Sequence, residues 1–439
     1  MARDAVDPGD LVTVAKAPTT ATFAQRPYVT CVLIGLGGLF AGVTGPLVSA
    51  FVPPLVRDAL GDHRTAIGIV MAIDNVLLLL LVPWAGALSD RLSATGRGRL
   101  SIVLAGFVLA AAGMALFASS LVGSLPGLIV SIVVLYVGIN VQRSPIQALI
   151  ADLLPSRYRS LASSSVMFQM CVGAIVFLML GQMMGRQAAF LVASGTIIII
   201  SVLIAAGIRE PKTSTSQTPE ASFRSLRDAV TSVLWGTSAG MRATFVASLL
   251  MQMTFQSFTT WYALHGTERF GVRPEDVTVG FIAWAMGGVV GALPAGLIGV
   301  RLGRRNTMIL GFSLMATSLL ALDRVTSMAA ATPLLALASA SWTLPMVNAY
   351  PLFVESVPRH RRGVLAAMFL LSMALGGGIG DPVNGSIFDW SGSYRPLFLM
   401  MAGYTALAFV AVLFVPRGAG EAGTGPDDFG EEPALMPGR

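Results

Sequence analysis

Hydrophobic and polar residues are arranged in long blocks along this chain, not at the short periods of amphipathic helices or strands. Apolar runs of roughly 20 residues, each long enough as a helix to cross about 30 Å of hydrocarbon, fall near 28–50, 66–88, 100–121, 126–150, 161–184 and 187–207. A polar stretch at 208–242 follows, with Pro211, Lys212, Ser214, Ser216 and Pro219. Six further runs lie near 243–264, 277–299, 306–323, 331–354, 364–388 and 395–416. The pattern predicts an all-α membrane protein of twelve transmembrane helices in two pseudo-symmetric six-helix bundles. The expected divisions are a tail at 1–27, a bundle at 28–207, a linker at 208–242, a bundle at 243–416 and a tail at 417–439. Within the linker, 222–235 has the composition of an interfacial helix between the bundles.

Composition agrees: 54% of the 439 residues are hydrophobic, only 12% are charged, and the mean hydropathy is +0.73. Such a chain has the lipid bilayer as its solvent. A net charge of +6 does not imply nucleic acid here, because the basic residues gather in short loops. With both termini on the inside, the inner loops and linker hold 16 Lys and Arg and the outer loops 7, an asymmetry that predicts cytoplasmic termini in the plasma (inner) membrane. The first span is expected to serve as the targeting signal, since the residues before it lack a cleavable pattern. Aromatic residues at run ends, Tyr28, Trp261, Tyr262, Trp390 and Tyr394, suit interfacial anchoring. Cys31 and Cys171 sit inside apolar runs and read as packing residues. His63, His265 and His360 fall in or beside expected loops without metal-ligand spacing, and no phosphate-cradling Gly-Lys loop is present. Neither an enzyme, a cofactor nor a metal site is indicated, so any transport must draw on a gradient.

Candidate chemistry lies where polar residues interrupt the apolar runs. In the fourth run, Asn140, Arg143 and Gln147 share one helical face. A guanidinium in hydrocarbon is costly enough to mark a functional site facing a bundle interior. In the second run, Asp74 is a membrane-embedded acid able to bind and release a proton or, alternatively, to cap buried amides, with Asn75 beside it. Counting residues from the ends of the two runs puts Asp74 and Arg143 about 10 Å apart in height. The seventh run carries Gln252, Gln256 and Thr259 on one face, suited either to sugar hydroxyls or to interhelical bonding, with Trp261 and Trp284 able to stack on an apolar ring face. The tenth run offers Asn348. In the eleventh, Gly376-Gly-Gly-Ile-Gly380-Asp381-Pro382-Val-Asn384 reads as a hinge with a polar site, with a solvated Asp381 as the alternative.

Two signatures recur between the halves. Gly86-Ala-Leu-Ser-Asp90-Arg91 is echoed at an offset of 210 by Gly296 through Arg301, with Val300 in place of the acid. Asp152-Leu-Leu-Pro155-Ser-Arg-Tyr-Arg159 is echoed at an offset of 203 by Glu355-Ser-Val-Pro358-Arg-His-Arg-Arg362. Repeated loop signatures in two six-helix halves indicate a parallel duplication with a site between the halves. From these residues the chain resembles the major facilitator superfamily, and the resemblance covers essentially all runs from 28 to 416. More narrowly, Ala72-Ile-Asp74-Asn75, Gly86 through Arg91 and Arg143-Ser-Pro145-Ile-Gln-Ala-Leu-Ile-Ala-Asp152 resemble its sucrose-proton and glycoside-cation symporter branch.

The resemblance implies a monomeric carrier of a small-molecule substrate with a coupling ion, expected to be H+, working by alternating access. A sugar or glycoside is the expected substrate. It also implies a proton-coupling role for Asp152, whereas the repeat of that acid at Glu355 favours a gate. Asp90, Arg91, Asp152 and Arg159 in one half, with Arg301, Glu355 and Arg362 in the other, are expected to close the cytoplasmic side around Gly86. Proton-driven efflux of a drug or metabolite, and a non-transporting receptor or scaffold, are the alternatives.

Overall fold

The computed structural model describes residues 27–94, 98–154, 156–208, 223–235, 239–355 and 362–415. In the first half the helices are α1 (Pro27–Leu60), α2 (Arg64–Met71), α3 (Ile73–Ala94), α4 (Leu100–Ala118), α5 (Leu125–Leu153), α6 (Ser156–Met184) and α7 (Arg186–Gly207). Helix α8 (Phe223–Trp235) lies between the halves in sequence. The second half comprises α9 (Ala239–Phe270), α10 (Thr278–Leu302), α11 (Arg304–Arg324), α12 (Met328–Glu355), α13 (Arg362–Ser391) and α14 (Leu397–Leu413). With α2 and α3 taken as one span, the described residues form twelve spans and an extra helix, α8. Among the described residues, eight of the spans are long and apolar enough to cross a membrane by length and composition alone, and α10, bent by 44° ahead of Pro294, makes a ninth. Helices α9 and α13 carry much of the polar site, and α14 is a shorter apolar helix of 17 residues.

Two departures from the expected runs matter for function. Helix α1 continues ten residues past the end of its apolar run at 50, through Pro53 and Pro54, to Leu60. Neighbouring helices bury both prolines and so support a stretch that local propensity would end. The second span, expected as one uninterrupted helix, breaks at Ala72. That break leaves Asp74 in the first turn of α3, where the positive end of the helix dipole favours a carboxylate.

Within each half, small residues allow helix backbones to touch, as expected where lipid supplies no hydrophobic drive for association. A Cβ at Gly42 would collide with the Met170 carbonyl of α6, and one at Gly287 with the Ala336 carbonyl of α12. Between the halves, α2 and α3 pack on α13, α1 on α9, and α6 on α10. Helix α8 is amphipathic as expected. Its Leu226 and Ala229 are buried in a cluster with Leu78 and Val82 of α3 and Ala367 and Leu371 of α13, and Phe223 and Arg227 are exposed.

Several expected loop and interface residues are interior instead. His265 lies within α9, fully buried, with Nδ1 2.9 Å from the Tyr394 carbonyl oxygen. Trp261, Tyr262 and Tyr394 are buried too, held by rings of their own half: Trp261 meets Phe388 and Tyr394, and Tyr262 meets Phe258 and Phe398. Because α9 runs on to Phe270, positions that end the apolar run lie a full turn or more inside the helix. Tyr28 and Trp390 remain exposed, as anchoring would require.

Candidate functional site

The polar residues of the first half converge on α3 and α5. Asn140, fully buried, donates from Nδ2 to Asp74 Oδ1 at 2.9 Å and to the Tyr136 carbonyl at 3.0 Å. Arg143, one turn beyond Asn140 and half-buried, acts electrostatically on Asp74. The height separation of about 10 Å expected from residue counting is therefore an overestimate. Asp74 is level with Asn140, three residues from Arg143, because the break at Ala72 and the packing of α3 on α5 set the register between the helices. Gln147, further along the same face, is exposed. Asn75 is buried against Gly377 of α13, with its Nδ2 lacking a hydrogen-bond partner.

The second half presents its own acid. Asp381 is 0% exposed, so the solvated alternative does not hold. Thr260 donates to its Oδ2 at 3.1 Å and Trp261 Nε1 to its Oδ1 at 3.2 Å. One turn later, Asn384 donates to Ser257 Oγ at 2.7 Å and accepts from the Tyr404 hydroxyl at 2.8 Å. These four bonds tie α13 to α9 and α14. Burying these polar groups is tolerable because each has a partner. Among the described residues, no basic side chain pairs with Asp381.

The two acids are close enough to interact. Asp74 acts electrostatically on Asp381, and both act on Tyr136, which stands one turn before Asn140. The seam where α2 and α3 meet α13 also holds an apolar cleft of about 370 Å³, lined by Ile69, Ala72, Ile73, Val76, Leu77, Gly378 and Pro382. One acid from each half, a guanidinium and a phenol thus lie on the helices that line the seam where the halves touch. Such an arrangement can exchange protons and hold polar ligand atoms within hydrocarbon.

Other candidates lie elsewhere. Gln252 is buried where Gly376 packs on it, and Gln256 is half-buried and accepts from Thr259. Trp284 stacks on Phe258 with centroids 4.0 Å apart inside the second half. Asn348 bonds the Ala295 carbonyl of α10 at 3.3 Å and its own helix at Leu344, as an interhelical tie. At the basic face, Asp90 pairs with Arg99 of its own half at 2.8 Å, with the guanidinium buried. Arg91 and Arg301 are exposed and Gly86 is buried. The side chains of Asp152, Arg159, Glu355 and Arg362 lie outside the described residues.

Tyr136, Tyr404 and Ser257 were not singled out from the sequence. A signal existed for Tyr136, since a residue one turn before Asn140 shares its face. Tyr404 sits in an apolar run with Thr405 as its one polar neighbour, a pairing that carries no motif to mark it.

Comparison with known proteins gives one reading. No curated protein sequence matches the chain. Among solved structures, the nucleoside transporter NupG superposes with a TM-score of 0.68 at 12% identity, over 88% of this chain and 100% of that one. A D-xylose-proton symporter gives 0.67 at 17% identity, over 88% and 97%. A bacterial homolog of the human lysosomal transporter Spinster, inward-facing and unoccupied, gives 0.66 at 14% identity, over 89% and 95%. At such identities the likeness is one of fold. The family profile described as Major Facilitator Superfamily matches residues 32–291 and 267–435. With most of its length matched and two bundles of six spans meeting at a buried polar site, the chain belongs to the major facilitator superfamily of transporters.

Proposed function

We propose that this transporter couples proton movement to uptake of a sugar or glycoside by alternating access, with Asp74, Asn140 and Arg143 at its centre. The observation that carries the reading is the Asn140–Asp74 bond beside Arg143, inside the span region. An embedded acid must be protonated or matched by a countercharge. Arg143 supplies that charge when Asp74 is ionised, and protonation of Asp74 frees the guanidinium fork for substrate oxygens. Proton and substrate binding are then linked through one residue. Asp381, across the seam, is a second candidate proton carrier. The face bearing Asp90, Arg91, Arg99, Arg301 and Arg304 is proposed as cytoplasmic, which places both termini inside the plasma membrane. The names of several structural neighbours, a D-xylose-proton symporter and a fucose-proton symporter among them, support the sugar reading.

The test is uptake by purified protein in proteoliposomes, using a panel of radiolabelled sugars, glycosides and cationic dyes with an imposed pH gradient. Uphill accumulation of a sugar, dissipated by a protonophore, is expected. Accumulation of a dye in exchange for protons would replace this reading with efflux, and saturable binding without flux would replace it with a receptor.

A further inference from the structure

Helix α2 lacks a cap of its own. His63 occupies the N-cap position and makes no side-chain cap bond, and the Arg64 amide finds its local acceptor in the Asp62 carbonyl at 3.0 Å. The side-chain cap comes from the other half of the molecule, which takes the Thr65 amide and shares the Arg64 amide. Asp389, in the last turn of α13, accepts from the Arg64 amide at 2.9 Å, from the Thr65 amide at 2.8 Å and from the Thr65 hydroxyl at 2.6 Å. Arg64 reaches back with Nη2 to the Gly392 carbonyl at 3.1 Å and lies over the Tyr394 ring, 4.8 Å from its centroid. The turn that receives it is braced within the second half by Glu268 of α9, which accepts from Ser393 Oγ and from the Tyr394 amide.

This contact ends a continuous seam. Asp381, Gly385 and Asp389 are spaced i, i+4, i+8 and so share one face of α13. A Cβ at Gly68 of α2 would collide with the Asp381 carbonyl, and one at Gly385 with the Arg64 carbonyl. The backbones of α2 and α13 therefore touch all the way from the buried acid of the site to the capping carboxylate. All of these contacts lie on the face opposite the basic loops. A carrier that alternates its access must part the halves there once per cycle.

We propose that Asp389 is a latch: a carboxylate of the second half caps α2 of the first, holds this face shut, and is released and remade in each transport cycle. Its role is positioning, because it sets the balance between open and closed states without touching substrate. The bonds combine an ionised acceptor, two backbone amides and a hydroxyl, the stronger class of hydrogen bond. The proposal rests on alternating access and not on the identity of the substrate or coupling ion.

The test uses the full chain with Cys31 and Cys171 replaced and spin labels at Leu121 and Thr326, positions on exposed turns of the two halves, on the latched face and away from the latch. Distances are measured without ligand and at equal pH on both sides, so an error in the assigned substrate or ion leaves the outcome unaffected. Asp389→Asn and Asp389→Ala are expected to enlarge the long-distance population about tenfold, the effect of losing one charge-assisted bond. Asp389→Glu should restore much of the short distance, and Thr65→Val, which removes only the hydroxyl, should shift the balance the same way by less. Unchanged distances in Asp389→Asn and Thr65→Val, at parental unfolding temperatures, would overturn the latch even if Asp389→Ala failed to fold.

Discussion

Asn140 of α5 donates its amide to Asp74 of α3 at 2.9 Å, joining two spans 66 residues apart. The bond fixes which carboxylate oxygen is occupied and leaves the other for Arg143, a proton or a ligand. A buried amide thereby positions the acid on which coupling is proposed to turn.

Replacing that acid tests the coupling directly. Asp74→Asn keeps the shape and the bond partner but removes the titratable group. Uphill uptake driven by a pH gradient should disappear, while exchange of labelled for unlabelled substrate at equal pH should survive. Uphill uptake with the parental pH dependence would make Asp74 structural.

Arg143→Lys preserves charge but replaces a planar fork of donors with a point charge. Transport should fall by roughly tenfold or more, the cost of a lost charge-assisted bond. Arg143→Gln should fall further. Substrate affinity measured on purified, folded protein separates this effect from misfolding, and wild-type affinity with uphill uptake in both variants would remove Arg143 from the mechanism.

Gly68→Ala places a methyl against the Asp381 carbonyl, where backbone cannot yield as a side chain would. Overpacking of this kind costs about 1–3 kcal/mol. The cost falls on the closed seam alone, so the long-distance population between spin labels at Leu121 and Thr326 should grow. Distances equal to those of the parent would mean that the α2–α13 contact can loosen without opening the face.

Tyr404→Phe leaves Asn384 Oδ1 buried without its donor. An orphaned buried acceptor costs about 1–3 kcal/mol, which should appear as a lower unfolding temperature with transport retained in the folded fraction. Asp381→Asn should show the reverse: near-parental stability with altered coupling. Loss of transport in well-folded Tyr404→Phe would assign the hydroxyl a direct part in the site.

What the sequence determined by itself was the set of spans, the duplication and the family, because the cost of placing polar groups in hydrocarbon is so large that membrane segments declare themselves as blocks. The same cost exposed Asp74, Asn140, Arg143 and Asp381 as residues needing partners. Tertiary structure alone decided who those partners are. Thr260 and Trp261 meet Asp381 across 121 and 120 residues of chain, and Thr65 meets Asp389 across 324. Such pairings depend on how far each helix is turned about its axis and where it sits in height, quantities set by packing against neighbours that an apolar run does not encode. The break at Ala72 had no glycine or proline beside it to announce it, while Pro53 and Pro54, which do announce a break, lie inside a continuous helix. In both places the surrounding helices outweigh local propensity, because in lipid a backbone group released by one helix must find its partner in the protein.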